Sequence, residues 1–161
     1  MTTSCWGRVR KRDVCASLVF VMWLGISVAQ TGVTPISEAS CTQSAAAFHK
    51  VNPIILQAII FHETGGRPDL VLKNSNGSFD MGIAGINSVH LSELNLFGIQ
   101  KDQLLDGCVN TYIAAWLLAK QIRLFGNTWI AVGSYHSKTP IYRDAYARKI
   151  MTILRNWGID I

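Results

Sequence analysis

The stretch from Pro53 to Thr64, PIILQAIIFHET, constrains the fold more than any other part of the chain. Asn52-Pro53 starts a helix there, because the fixed φ of proline suits the first helical turn and its missing N–H costs nothing at that position. Gly65-Gly66 ends the helix, and Pro68 reinforces the stop. Between these signals Ile54, Ile55, Ala58, Ile59 and Phe61 cover so much of the circumference that the helix must be largely buried. Other helices must therefore surround it. Its last turn nonetheless carries an acid, Glu63, in the segment FHETGG.

The rest of the chain supplies the surrounding helices. Ala45, Ala46, Ala47 and Phe48 favour a short helix over Ser40 to Lys50. Asp106 caps the longest one, Gly107 to Phe125, where Val109, Ile113, Trp116, Leu117 and Ile122 form an apolar stripe. Gly126-Asn127 breaks it, a short helix follows over Thr128 to His136, and a last amphipathic one over Pro140 to Trp157 bears Tyr142, Tyr146, Ile150 and Ile153. Asn87 to Leu96 and Lys101 to Leu105 suit short helical turns. The segment KNSNGSFDMGIAGIN, 73–87, is too rich in Asn, Gly and Ser for helix and suits turns, with a small hairpin at Asn76-Gly77. Trp116, Trp129 and Trp157 are expected in the core. The fold class is mainly α, with one irregular or β-hairpin segment.

With 161 residues the chain has room for one domain. Its first part reads as a secretory signal: basic Arg8, Arg10, Lys11 and Arg12, an apolar run Val14 to Ala29, and small residues before a cut after Ala29. The run is short beside the roughly 20 residues of a membrane-spanning helix, so an uncleaved anchor is the lesser reading and the sole expected contact with a membrane. The expected organisation is a leader over 1–29, a linker over 30–39 and a domain over 40–161.

Removing the leader leaves 11 basic and 9 acidic residues, a net +2. No basic stripe or basic-aromatic cluster stands out in that remainder, so nucleic acid is not an expected partner. The remainder also keeps two cysteines, Cys41 and Cys108. A pair of thiols in an oxidising compartment points to one disulfide. No clustered ligand spacing suggests a metal or other cofactor.

Glu63 admits three readings. A zinc-protease motif needs a second His three residues after the Glu, and this chain has Gly66 there. An ordinary solvated helix end is the second. The third is a catalytic acid: the last turn of a helix and an apolar neighbourhood both disfavour carboxylate, and a carboxyl group kept protonated near neutral pH can protonate a glycosidic oxygen.

Context selects among them. Glu63-Thr64, the run Asn76-Gly77-Ser78-Phe79-Asp80-Met81-Gly82-Ile83-Ala84-Gly85-Ile86-Asn87, then Cys108-Val109-Asn110 and Ala131-Val132-Gly133-Ser134-Tyr135-His136 follow in an order and spacing that resemble the lytic transglycosylases of the lysozyme-like superfamily. The resemblance is narrower still to the small exported enzymes that accompany conjugation, pilus and type III secretion systems, and it spans nearly all of Cys41 to Trp157. It implies a lysozyme-like fold whose irregular segment lines the groove, a periplasmic location, and peptidoglycan glycan strands as substrate. The implied reaction cleaves the β-1,4 bond between N-acetylmuramic acid and N-acetylglucosamine with a single acid and no metal. Proteins of a secretion or conjugation apparatus are the implied partners.

Carried over residue by residue, Glu63 is the catalytic acid and then the base, and Thr64 orients it where the family usually has Ser. Tyr135 lies close to Glu63 and hydrogen-bonds in the site. Met81, Gly82, Ile83, Gly85, Asn87 and His136 join them in binding or orienting substrate, and Cys41 and Cys108 form the bridge common in the small relatives. Two departures stand out. Gly82-Ile83-Ala84-Gly85-Ile86 replaces the family's Gly-Leu/Ile-Met-Gln-Ile, so a substrate-contacting glutamine is missing, and Tyr135-His136-Ser137 replaces Tyr-Asn-Ala-Gly.

Asp80 is the rival carboxylate that an ordinary glycosidase would need, although an Asp after Gly77-Ser78-Phe79 more often closes a turn. His49, His62, His90 and His136 show no metal-ligand spacing. The competing functional reading is a catalytically weak or inactive glycan-binding factor of the same fold, favoured by Gly85. A metallopeptidase is a distant third.

Overall fold

The computed structural model describes residues 37–160. The leader reading of 1–29, and most of the linker reading of 30–39, lie outside the described residues. Among those described, no helix is long and apolar enough to cross a membrane.

Helix α1 (Glu38–His49) is capped by Ser37, whose hydroxyl accepts from the Ser40 N–H at 3.3 Å. It starts at Glu38 instead of Ser40, because a serine that satisfies an orphan N–H defines a helix start more firmly than the alanines that follow. Helix α2 (Pro53–Thr64) has the expected bounds, with Asn52 Oδ1 accepting from Ile54 N–H at 2.8 Å and Ile55 N–H at 3.3 Å.

The middle segment is more regular than its composition suggests. Strands β1 (Val71–Lys73), β2 (Phe79–Met81) and β3 (Ile86–Asn87) form an antiparallel sheet in that order. The turn at Asn76-Gly77 closes the first pair, with Asn74 N–H donating to Ser78 O at 2.8 Å. The second pair sets Asp80 opposite Asn87 and Met81 opposite Ile86. Short 3₁₀ turns and α3 (Leu91–Leu94) lead to α4 (Gly107–Phe125), where Asp106 Oδ1 accepts from the N–H groups of Cys108 and Val109, both at 2.9 Å. Helix α5 (Trp129–Ser134), capped by Thr128, is shorter than the expected 128–136, and α6 is Pro140–Asn156.

The centre of the domain is α4, not α2. Ile113, Ala114, Ala115, Leu117, Leu118 and Ala119 are all buried, so this helix is enclosed on most sides. Alanines at successive turns let neighbouring helices approach it closely. Helix α2 buries Leu56, Ala58, Ile59 and Ile60 but leaves a stripe of Ile54, Gln57 and Phe61 exposed. The helix is largely buried as expected, but Ile54 and Phe61 are exposed, because counting apolar residues does not reveal which face lacks a neighbour. Trp157 is 38 % exposed rather than core, and packs edge-on against Phe61 with centroids 5.6 Å apart. Tyr142 is likewise exposed, whereas Tyr146 is buried.

Cys41 and Cys108 form a disulfide that ties α1 to the first turn of α4, with Cα atoms 5.4 Å apart and 67 residues between them in sequence. Closing a loop of that length stabilises the fold by about 4 kcal/mol in the chain-entropy account. Reduction is expected to lower the midpoint of denaturant unfolding by a corresponding amount. Paired unfolding curves with and without reductant check this, and superimposable curves would show that α1 and α4 hold together without the bridge.

Candidate active site

Glu63 sits half-buried on the last turn of α2, and one of its carboxylate oxygens accepts a 2.6 Å hydrogen bond from the Tyr146 hydroxyl of α6. Burial pushes the Glu63 pKa above the ordinary glutamate value. The Tyr146 bond opposes that rise, the charge of Asp80 adds to it, and the charge of Lys149 subtracts. The balance is a carboxyl group that holds its proton to higher pH than a solvated glutamate. Burial and the Glu63 charge raise the Tyr146 pKa as well, so the phenol remains a donor.

The loop Gly82–Ile86 lies across Glu63. Gly85 has φ +58°, and a Cβ on it would stand 3.4 Å from Glu63 Oε2. A bare Cα thus covers the carboxylate where the family carries glutamine. Restoring that side chain forces a non-glycine residue into a left-handed conformation, at about 1–2 kcal/mol. Gly85→Gln is expected to lower the thermal midpoint by roughly 4–8 °C; an unchanged midpoint would mean that the loop can relax.

Two buried polar side chains hold this loop. Asn110, fully buried on α4, accepts from Ala84 N–H at 2.9 Å and donates to Met81 O at 2.9 Å and Leu104 O at 2.8 Å. Gly82, at φ +73°, packs so closely here that a Cβ would collide with the Leu104 carbonyl and the Asn110 amide. Thr64 donates its hydroxyl to Ile83 O and accepts from the N–H groups of Gly66 and Arg67, both at 3.2 Å. Its effect on Glu63 therefore runs through the backbone of the loop and the helix end. Met81 and Ile83 are buried, and their carbonyl oxygens accept from the Asn110 amide and the Thr64 hydroxyl.

Helix α5 brings Tyr135 to the same place. Its hydroxyl donates to Ala84 O at 3.3 Å, and its ring stacks near Tyr146 with centroids 6.3 Å apart. Burial and the nearby Glu63 charge raise its pKa, so it too stays protonated. Gly133 permits this meeting: a Cβ there would collide with the Arg143 carbonyl of α6. The exposed His136 ring lies parallel to Tyr146 at 5.0 Å, and His62 meets it edge-on at 5.1 Å.

Asp80 is near enough for its charge to reach Glu63 and is fixed by two side-chain amides. Its two oxygens accept from Asn87 Nδ2 at 2.6 Å and Asn74 Nδ2 at 3.0 Å, and the same two amides also donate to Ser78 Oγ. Asn87 Oδ1 in turn accepts from Val89 N–H. Asp80 and Asn87 thus fasten the sheet. Among the described residues, no group of three or more His, Cys, Asp and Glu is arranged to hold a metal ion.

Tyr146 and Asn110 are the two site residues that sequence reasoning did not assign a role. For Tyr146 a signal existed: a tyrosine on the buried stripe of an amphipathic helix needs a partner for its hydroxyl. Asn110 stood in a recognised block, but nothing local indicates which carbonyls it meets.

The mainly helical domain with its small antiparallel sheet is a lysozyme-like fold of the lytic-transglycosylase type, and Glu63, the two tyrosines and the glycine-bearing loop are its candidate site. Residues 40–149 match the family described as Transglycosylase SLT domain, and the chain belongs to that family. It is 33% identical over 117 residues to the Invasion protein IagB of Salmonella typhimurium, covering 70% of this chain and 73% of that protein. Similarity to the Protein IpgF of Shigella flexneri is 32% over 105 residues, covering 65% and 69%. An X polypeptide of Escherichia coli is 32% identical over 107 residues, covering 65% and 63%.

Proposed function

We propose that the protein is a peptidoglycan lytic transglycosylase with Glu63 as its one catalytic carboxyl group. The observation that carries this reading is the state of Glu63: raised in pKa by burial and oriented by the Tyr146 hydroxyl, as a proton donor requires. Protonated Glu63 gives its proton to the glycosidic oxygen as the bond from C1 of the muramyl residue breaks. The C6 hydroxyl of that residue then attacks C1, and its proton passes to the Glu63 carboxylate. The product is a 1,6-anhydromuramyl end, and the acid is restored. No water enters the product and no covalent enzyme intermediate forms, so one carboxyl group suffices where ordinary glycosidases need two. Both tyrosines, held as phenols, donate hydrogen bonds throughout.

The rate then depends on Glu63 being protonated and falls as pH rises through its pKa. The Tyr146 hydroxyl favours the carboxylate, so removing it raises that pKa further. Tyr146→Phe is expected to move the alkaline limb of the rate profile to higher pH, and a limb that stays in place would separate Tyr146 from the ionisation of Glu63.

Export to the periplasm, and local opening of the cell wall for a secretion, pilus or conjugation apparatus, complete the proposal. It is supported by the leader pattern, the Cys41–Cys108 disulfide and the name of one relative as an invasion protein. A second reading, a glycan-binding factor with little or no activity, is favoured by Gly85 in place of glutamine. Mass spectrometry of peptidoglycan digested by the parent, Glu63→Gln and Asp80→Asn proteins tests both. Anhydromuramyl products that disappear with Glu63→Gln and persist with Asp80→Asn are expected. Reducing-end products lost with either change would indicate a two-carboxylate hydrolase, and binding without products would favour the second reading.

A further inference from the structure

Beside the Glu63–Tyr146 pair lies a concavity of about 360 Å³ lined by His62, Ala145, Arg148, Lys149, Thr152 and Ile153. It adjoins the reaction centre. His62 precedes Glu63 on α2 and its ring touches Tyr146, while the charge of Lys149 reaches both Glu63 and His62. No acid is among its lining residues. Arg148 and Lys149 are exposed and take part in no ion pair among the described residues. Asp144, the nearest acid in sequence, is paired with Arg143 at 2.7 Å, although the Arg148 charge also reaches it. Burial, then the charges of Lys149 and His136, lower the His62 pKa. Ala145 and Ile153 add apolar wall.

Two cations, an imidazole and an apolar wall suit a carboxylate carried on a short aliphatic chain, since guanidinium and ammonium groups make their strongest hydrogen bonds to ionised oxygens. We propose that this concavity binds carboxylate groups of the peptide stems that branch from the glycan strand. The proposal rests on the peptidoglycan reading of the site. Stems leave the strand at the muramyl residue, the sugar whose C1–O bond would break at Glu63, so a strand bound for cleavage would carry a stem rooted beside the reaction centre that α6 borders. Anionic lipid is the less fitting ligand, because the two cations stand beside the reaction centre, where a bound strand would carry its stem.

The test measures binding in the Glu63→Gln background, where no Glu63 carboxylate titrates and no strand is cut. Glycan strands with intact stems are compared with strands freed of stems by an amidase. Stems are expected to tighten binding about tenfold, the scale of one charge-assisted contact set. Adding Arg148→Gln and Lys149→Gln should abolish most of that preference, while the charge-matched pair Lys50→Gln and Arg123→Gln should leave it in place. Three results would overturn the proposal: equal binding of both strands, a preference that survives Arg148→Gln/Lys149→Gln, or its loss in the control pair. A variant that loses binding to phosphatidylglycerol vesicles, with no stem preference in its parent, would assign the recess to lipid instead. A stem preference in a protein whose unsubstituted form yields no anhydromuramyl product would leave this inference standing and overturn only the catalytic one.

Discussion

Glu63→Gln is expected to lower cleavage of peptidoglycan by about a thousandfold while leaving the protein folded, the scale on which a positioned general acid contributes. Glutamine has nearly the same shape, and its amide oxygen can still accept from the Tyr146 hydroxyl, so the site keeps its geometry and loses only its proton. The same substitution has a consequence for stability. A glutamate whose pKa is raised by folding is harder to ionise in the folded state than in the unfolded one. That penalty is absent below the unfolded pKa of about 4.3, grows as pH rises past it, and is complete above the folded pKa. Glu63→Gln should therefore unfold at a higher temperature than the parent at pH 7.5, with the gap closing near pH 4. Turnover assays and thermal melts on one preparation check both. An inactive variant with no gain in stability at neutral pH would mean that Glu63 is not held above its ordinary pKa.

Asn110→Ala should be the most destabilising single substitution in the site. It strands the Met81 and Leu104 carbonyls and the Ala84 N–H at a fully buried position, and each stranded group costs about 1–3 kcal/mol. The sum is about 5 kcal/mol, comparable to the entire stability of a small domain. Equilibrium unfolding with and without the substitution measures it. Because Asn110 joins the loop over Glu63 to α4, a residue of activity in any surviving folded protein should also be lower than in the parent. A loss below about 1 kcal/mol would show that water or a local shift satisfies the three groups.

Some of this architecture is legible in short stretches of chain. Asn52-Pro53 and Gly65 delimit α2, Asp106 opens α4 and Asn76-Gly77 turns the first hairpin, each through contacts within about four residues. Glu63 is legible for the same reason, since its place on a last helical turn follows from the glycines after it. The third strand was less so. Ile86-Asn87 is too short to announce itself by alternation, and it forms because Met81 and Asp80 present a paired edge to it.

Thr64 shows where a resemblance guides without giving the contact. A hydroxyl next to the acid suggests a direct bond, yet it is engaged by Ile83 O and two backbone N–H groups, and so acts on Glu63 through the loop. Asp80 departs from expectation too. The turn closed by backbone contacts, expected of an Asp after Gly-Ser-Phe, is not what forms: Asp80 lies in β2 and accepts from the side-chain amides of Asn74 and Asn87.

The chain order alone yields the helices, their caps, the turn-rich segment and the position of the acid, because a cap or a turn is stabilised by groups a few residues apart. Which helix lies at the centre, and which hydroxyl meets Glu63, are settled by packing. Tyr146 is 83 residues from Glu63, and the two meet because α6 packs against α2. A hydrogen bond across that separation has no local signature. Burial of α4, the fit of a Cβ-free loop over a carboxylate and the resulting rise in its pKa come from neighbours that only the folded chain assembles.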